Sequence, residues 1–546
     1  MAPWGLAMSG PLEILGEAAT RGTSMQTLGQ TWLRLLGLYL AVAPGTGAQE
    51  LDPGDRGKAA EVAVSTGSEL QKAEGLVTLD YQVLSVPGDE AIDLMGFHVH
   101  HKVTDWMYLG MGGYAPLLKG KYGGFMAFDV GVHLRQRLFG PIYGEAGVAW
   151  GGGGGGRSIQ QSRILSGTGG FTKGYVGVVY AFEKASLGVN LFRMKFHNSV
   201  IDDTRFNVCL QVPFSYSISG FSNSGRRLSE AETRQARAEA GENTLSLGLD
   251  NLLQVRPEGT RKDTINSADL QFTHFVSRNA FLFASLGVGY RGLPLYNQMI
   301  GGAGYRLKVA PGFNLMGQLG VGSGGDTPDI INTDSGLLLY PKVSAEYLFS
   351  PKIGLSVSSG YLVAPKGTSK NLTVGAALNY HLGVGGKEEE GPTWIPDLHF
   401  QGYRFTVFHQ SQYHVKFQDI DRDRLQMLAV QFDVISGDHL FIPIQAAIAS
   451  NAYLGYPGYG ELLAGVGLQT RLRKAGRWQV FGQAMVGTNV HGLTLKAVGG
   501  VHLGLSERTA LHVSFGRTQA RDSKGRRFSA DSLGAGLSYR FSVPSR

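Results

Sequence analysis

The chain has 546 residues, 80 of them glycine, and only 17% are charged. That length suits several soluble domains or one to three strand-built membrane barrels, and glycine stands at about twice its usual share. A lone cysteine, Cys209, excludes an intrachain disulfide framework. The formal charge of +7 is spread over strand ends and loops beside acids, without the long basic run that nucleic-acid binding calls for.

In chain order, the first feature is an apolar run, Leu35–Ala43, which follows Arg34 and leads into Pro44-Gly-Thr-Gly-Ala48. A charged start, a short apolar core and a small-residue end predict a secretory signal over residues 25–48, cut after Ala48. Residues 1–24 read as an over-extended start, and 49–74 as a periplasmic arm. Nowhere does the chain approach the ~20 uninterrupted apolar residues of a membrane-spanning helix. For an exported chain the scattered cations are expected to meet the phosphates of lipopolysaccharide and not nucleic acid.

From residue 75 onward the pattern is alternation of period two. Strands are predicted near 75–86, 94–103, 106–116, 124–137, 142–151, 173–182, 185–196 and 206–218, each near the ~10 residues that cross a bilayer as a strand. Two marks then recur. Phe214-Ser-Tyr216-Ser-Ile218, Leu378-Asn-Tyr380-His-Leu382 and Leu537-Ser-Tyr539-Arg-Phe541 space their tyrosines by 164 and 159 residues. Gly144-Glu-Ala-Gly-Val, Gly317-Gln-Leu-Gly-Val and Gly482-Gln-Ala-Met-Val fall at nearly the same period. The chain therefore divides into eight-stranded units over 75–218, 244–382 and 398–541, joined by linkers 219–243 (Arg, Glu and Ala-rich, part helical) and 383–397. Tight turns such as Gly140-Pro141, Glu183-Lys184, Ala310-Pro311 and Ser506-Glu507 alternate with long loops such as 151–171, 322–335 and 517–531. That is the asymmetry of short periplasmic turns and long external loops.

On 124–137 the outward set is Met126, Phe128, Val130, Val132 and Leu134, and the inward set is Ala127, Asp129, Gly131, His133 and Arg135. Glu145, Gly147 and Ala149 face in from the next strand. Glycines mixed with opposite charges suit a narrow lumen packed by paired ions. The fold class is all-β: antiparallel transmembrane barrels of about 24 strands, with three tandem barrels favoured over one wide barrel serving as a porin or export channel.

These features resemble Gram-negative outer-membrane β-barrel proteins over residues 75–541. The resemblance implies an outer-membrane location and handling by the barrel-assembly machinery, whose C-terminal signal Tyr539-Arg540-Phe541 resembles. Five residues follow Phe541, where the family pattern ends on the aromatic. At the level of one unit, His197-Asn-Ser199-Val resembles the His-x-Ser-Asn motif of the eight-stranded lipid A deacylases. It implies His197 as base and Ser199 as nucleophile of an esterase. Val200 replaces the final Asn, and strand 206–218 offers Gln211 where an acid is wanted, with Asp202 and Asp203 as stand-ins.

Other chemistry is sparse. Gly151–Gly156 precedes no Walker or Rossmann spacing and is expected to be a flexible external loop. His98 and His100 share a strand face, beside His101, and are expected to pack inward more readily than to bind metal. Asp419, Asp421 and Asp423 alternate in a way that suits Ca²⁺, but Arg422 and Arg424 between them favour a solvated ion-paired loop. Trp106, Tyr108, Trp150, Tyr175, Trp478 and Tyr539 are expected in interfacial girdles. No motif calls for a cofactor. The reading is a non-enzymatic envelope protein acting through lipid contact and external loops.

Overall fold

The structure is a computed structural model describing residues 70–156, 164–239, 242–258, 260, 262–294, 296–326, 330–350, 352–382, 398–471, 478–522 and 524–545. The predicted over-extended start and signal (1–48), most of the predicted arm and the second predicted linker lie outside the described residues. Period-two alternation folds into antiparallel strands joined in sequence order. The first eight are β1 (Gln71–Leu84), β2 (Ile92–Lys102), β3 (Met107–Ala115), β4 (Met126–Phe139), β5 (Ile142–Gly154), β6 (Gly170–Ala181), β7 (Ser186–Phe196) and β8 (Asp202–Ile218). β1 returns to pair with β8, Gln71 opposite Ile218, and closes a barrel.

The second barrel comprises β9 (Asn243–Gln254), β10 (Ile265–Phe275), β11 (Ala280–Arg291), β12 (Asn297–Ala310), β13 (Phe313–Gly325), β14 (Leu337–Leu348), β15 (Ile353–Val363) and β16 (Lys370–Leu382). It closes where Asn243 meets Leu382. In the third, β17 (His399–Phe417) carries a two-residue branch, β18 (Ile420–Asp421). The wall continues through β19 (Leu425–Ser436), β20 (Leu440–Ala449), β21 (Gly460–Gln469), β22 (Trp478–Asn489), β23 (Gly492–Gly504), β24 (Thr509–Arg521) and β25 (Arg527–Ser545). β17 pairs with β25 from His399↔Ser545 upward. Three separate closures overturn the single wide barrel: each unit satisfies its own edge strands locally, so none remains to be shared.

Polarity is inverted relative to a soluble barrel. On β7, Leu187, Val189 and Leu191 are exposed while Ser186, Gly188 and Asn190 are buried. On β8, Phe206, Val208 and Leu210 are exposed while Asn207, Cys209 and Gln211 are buried. The lumens are filled. Voids of about 40 Å³ and 50 Å³ remain in the first and second barrels, room for a few waters at ~10–15 Å³ each. An apolar cluster seals the long-loop end of each barrel: Leu84, Ile92, Tyr122 and Phe125 in the first, Leu252, Ile265, Leu293 and Tyr296 in the second, and Tyr453, Tyr459 and Phe528 in the third.

Each barrel touches the other two. At the long-loop end, Gly123 N–H donates to the Asp334 carbonyl at 2.9 Å. There, too, Ser335 Oγ donates to the Leu117 carbonyl at 2.8 Å and Thr488 Oγ1 to the Gly289 carbonyl at 2.9 Å. The glycine run is not an external loop throughout. Gly151–Gly154 finish β5 opposite Met126–Asp129, and all four are buried. The reason is steric: a Cβ on Gly152 would lie 2.4 Å from the Ala449 carbonyl oxygen of the third barrel. The absent side chain is what lets the two walls approach.

Candidate functional site

The chemistry-bearing side chains concentrate inside the three barrels, and a common element links them. The sixth strand of each unit turns a lysine inward: Lys173 on β6, Lys342 on β14 and Lys496 on β23. Each reaches across the lumen to the first strand of its unit. Lys173 Nζ lies 2.6 Å from Asp80 Oδ2 and donates to Tyr114 Oη at 3.0 Å. Lys342 Nζ lies 3.1 Å from Asp250 Oδ2, which also accepts from Tyr340 at 3.3 Å. Lys496 Nζ donates to Gln410 Oε1 at 2.8 Å, and here the negative charge comes from the fourth strand, Glu461, at 3.0 Å. Such buried ions persist only when paired and hydrogen-bonded. The sequence carried this signal, one lysine at the inward phase of each sixth strand, but sequence reasoning missed it.

Around Lys173 the remaining groups of the first lumen interlock. His98 Nε2 sits 3.2 Å from Asp129. His133 Nδ1 bonds Tyr175 Oη at 2.7 Å, and Gln211 donates to Glu145 at 2.6 Å. Asp129, His133 and Glu145 thus face inward as expected, and His98 and His100 are buried in the same lumen. Tyr108 and Tyr175 are corrected from girdle to lumen, since both rings contact His133 at 5.7 and 6.0 Å. Tyr539 packs 5.1 Å from His101 of the first barrel, so this girdle residue lines a seam. Trp106 and Trp478 are exposed.

The first linker does more than connect. Its 3₁₀ turn Phe221–Asn223 places Phe221 against Ile435, Phe441 and Phe481, in the short-turn mouth of the third barrel. Arg540 lies 5.7 Å over its ring. Residues 225–228 then run along the start of β17, with Gly225 N–H donating to the Phe400 carbonyl and Leu228 N–H to the Leu398 carbonyl, each at 2.8 Å. Ser229 and Glu232 begin helix α1 (Glu230–Glu239) as a capping box. Ser229 N–H donates to Glu232 Oε2 at 2.8 Å, and Arg226 lies 2.8 Å from Oε1. Burial opposes ionisation of Glu232, but Arg226 and Ser229 outweigh it and hold the carboxyl at about 2.

β7 ends at Phe196, and residues 197–200 turn, with Asn198 at φ 56°. Strand alternation therefore does not carry His197 and Ser199 to one face. Ser199 Oγ donates to the Leu165 carbonyl at 2.5 Å, with the Ile164 carbonyl at 3.2 Å, and accepts from Ile201 N–H at 3.0 Å. No hydrogen bond joins it to His197 among the described residues. Burial, then the charge of Lys195, lowers the His197 imidazole below its usual range. Asp202 is engaged by Arg193 at 2.9 Å and Lys195 at 3.1 Å, and Asp203 by Arg205 at 2.8 Å. Asp421 faces Lys416 at 3.9 Å. The structure does not bring Asp419, Asp421 and Asp423 together: among the described residues no three His, Cys, Asp or Glu side chains group as a metal site.

No protein family and no curated protein matches the chain. Among solved structures, designed transmembrane β-barrels are similar over 26% of this chain and 95% of theirs, at 20% identity and a TM-score of 0.18. A ferric enterobactin receptor from Pseudomonas aeruginosa is similar over 87% of this chain and 82% of its own, at 8% identity and a TM-score of 0.28. The FrpB iron transporter from Neisseria meningitidis covers 86% and 81%, at 8% identity and 0.29. Scores this low say nothing about activity or barrel number, both of which rest on the chain's own strand pairing and side chains.

Proposed function

We propose that this protein resides in the Gram-negative outer membrane, where three linked, filled barrels serve a non-enzymatic envelope role through lipid contact and external loops. The observation that carries this reading is the inverted polarity of closed walls: exposed Leu, Val and Phe outside, paired ions within, and the first and last long strands of each unit paired to each other. A water-soluble protein gains nothing from exposing Phe206, Leu319 and Leu468 in this way. The small lumenal voids and the sealed long-loop ends support a role other than conduction. Lipopolysaccharide is the expected lipid partner, and the barrel-assembly machinery the expected route of insertion.

The test uses the full chain in Gram-negative cells. It is expected in the outer-membrane fraction, with heat-modifiable migration, and without stepwise conductance in planar bilayers. Recovery in the soluble fraction would overturn the location. Large stepwise currents would overturn the filled-barrel role.

A further inference from the structure

On the third barrel's outward wall, Arg521 of β24 and Arg527 of β25 are directly opposed cross-strand partners, and both are exposed. Facing positions in an antiparallel ladder hold their Cβ atoms ~4.5–5.5 Å apart, where like charges destabilise the sheet. Several neighbouring charges are engaged with one another. Asp522 takes Arg526 at 2.5 Å, and Arg526 stacks 5.2 Å from Phe417. Asp531 takes Arg517 at 3.5 Å and His414 of β17 at 3.1 Å. Lys416 turns to Asp421. Lys524 stands exposed at the hairpin tip. Residues 517–531 therefore hold five cations, Arg517, Arg521, Lys524, Arg526 and Arg527, against two carboxylates. Among the described residues neither the Arg521 nor the Arg527 guanidinium meets an acceptor.

On the outward face of this hairpin Gln519, Arg517, Ser529 and Asp531 lie next to the pair, and apolar side chains lie beside and beyond them. Val513, Phe515 and Leu533 are exposed lower on the same hairpin, and Leu493 and Leu495 are exposed on the adjacent β23. Two unpaired guanidinium forks above such a surface match a phosphate carried on acyl chains, since guanidinium binds phosphate bidentately.

We infer that Arg521 and Arg527 clamp a phosphate group of an outer-leaflet glycolipid, the acyl chains lying against Phe515, Leu533 and Leu493. The inference rests on the outer-membrane reading above and names the lipid contact that reading leaves open. The anion removes the repulsion between the two arginines, so bound lipid closes the hairpin's electrostatic deficit.

The test uses the purified, folded full chain in detergent, with bisphosphorylated lipid A, dephosphorylated lipid A and inorganic pyrophosphate as probes. Native protein is expected to bind bisphosphorylated lipid A at least tenfold more tightly than the dephosphorylated form. The R521Q/R527Q double variant is expected to lose that preference. In lipid-free detergent the variant is expected to melt higher than native protein, because the repulsion is gone. The opposite sign of the two effects separates a lipid site from a merely structural pair. Equal binding of both lipids by native protein, or unchanged binding by the variant, would overturn the site. Pyrophosphate bound as tightly as lipid A would overturn the lipid assignment. Should the double variant fail to fold, R521Q and R527Q singly carry the same test. Absence of a heat-modifiable native band would count against the membrane reading itself, before any lipid is added.

Discussion

At the scale of single residues, stability is concentrated in buried ions that tolerate no loss of partner. Asp80 receives Lys173 at 2.6 Å and Asn207 at 3.0 Å, inside a lumen with room for only a few waters. Lys173→Met would strand that carboxylate and is expected to destabilise the first barrel by ~3–5 kcal/mol. The check is the temperature at which its folded gel band converts to the unfolded one. A second change, Asp80→Leu, should recover most of the loss, because an apolar pair needs no desolvation offset. Recovery would distinguish a lost ion pair from a lost packing volume.

Elements are held mainly by the ladders of their own barrel, and a few close contacts at the seams join one unit to the next. Gly152→Val would drive a side chain into the Ala449 carbonyl, 2.4 Å from where its Cβ must sit. β5 is expected to keep its register with β4 while the seam to the third barrel opens, seen as faster proteolysis of the 450–459 loop. The linker obeys solution chemistry instead. Glu232 is held at about 2 against an ordinary 4.5, so its contribution to α1 is complete above 4.5 and fades as pH falls toward 2. Arg226 is partly exposed, so the effect is on the scale of a helix cap, ~1 kcal/mol. Hydrogen exchange in residues 229–236 should accelerate through that window, and Glu232→Gln should remove the pH dependence while leaving the barrels unchanged.

For the whole molecule, the three closures make each unit its own folding problem, while the first linker adds packing and pairing to the third unit. Residues 398–546 expressed alone behind a signal peptide retain every partner in the β17–β25 ladder. They are expected to form a heat-modifiable barrel. They lack Phe221 and the strand-like pairing of residues 225–228, so that barrel should melt below the same unit in the full chain. Phe221→Ala in the full chain should produce a similar loss, ~3–5 kcal/mol for a buried Phe. A fragment as stable as the intact protein would show that the plug contributes little.

Alternation of period two, the recurring Tyr216, Tyr380 and Tyr539, and the alternating loop lengths were enough to read the strands, their inward faces and the eight-strand unit. Those features are local, because a strand's side chains change face at every residue whatever it later packs against. The inward phase of Asp129, His133 and Glu145 was legible for the same reason. The lysine of each sixth strand was equally local, and was overlooked only because a single cation per strand forms no motif. Tertiary structure alone decided the rest. Which strand β1, β9 and β17 return to depends on closure between residues far apart in sequence. Gly151–Gly154 read as loop because their lack of side chains serves a neighbouring barrel. His197 and Ser199 do not share a strand face, because the turn at Asn198 ends the alternation of β7. Phe221 looked like linker because the mouth it fills is built more than 170 residues later, from strands beginning at His399. Contacts of that range leave no period in the chain; they exist only once the three walls have closed.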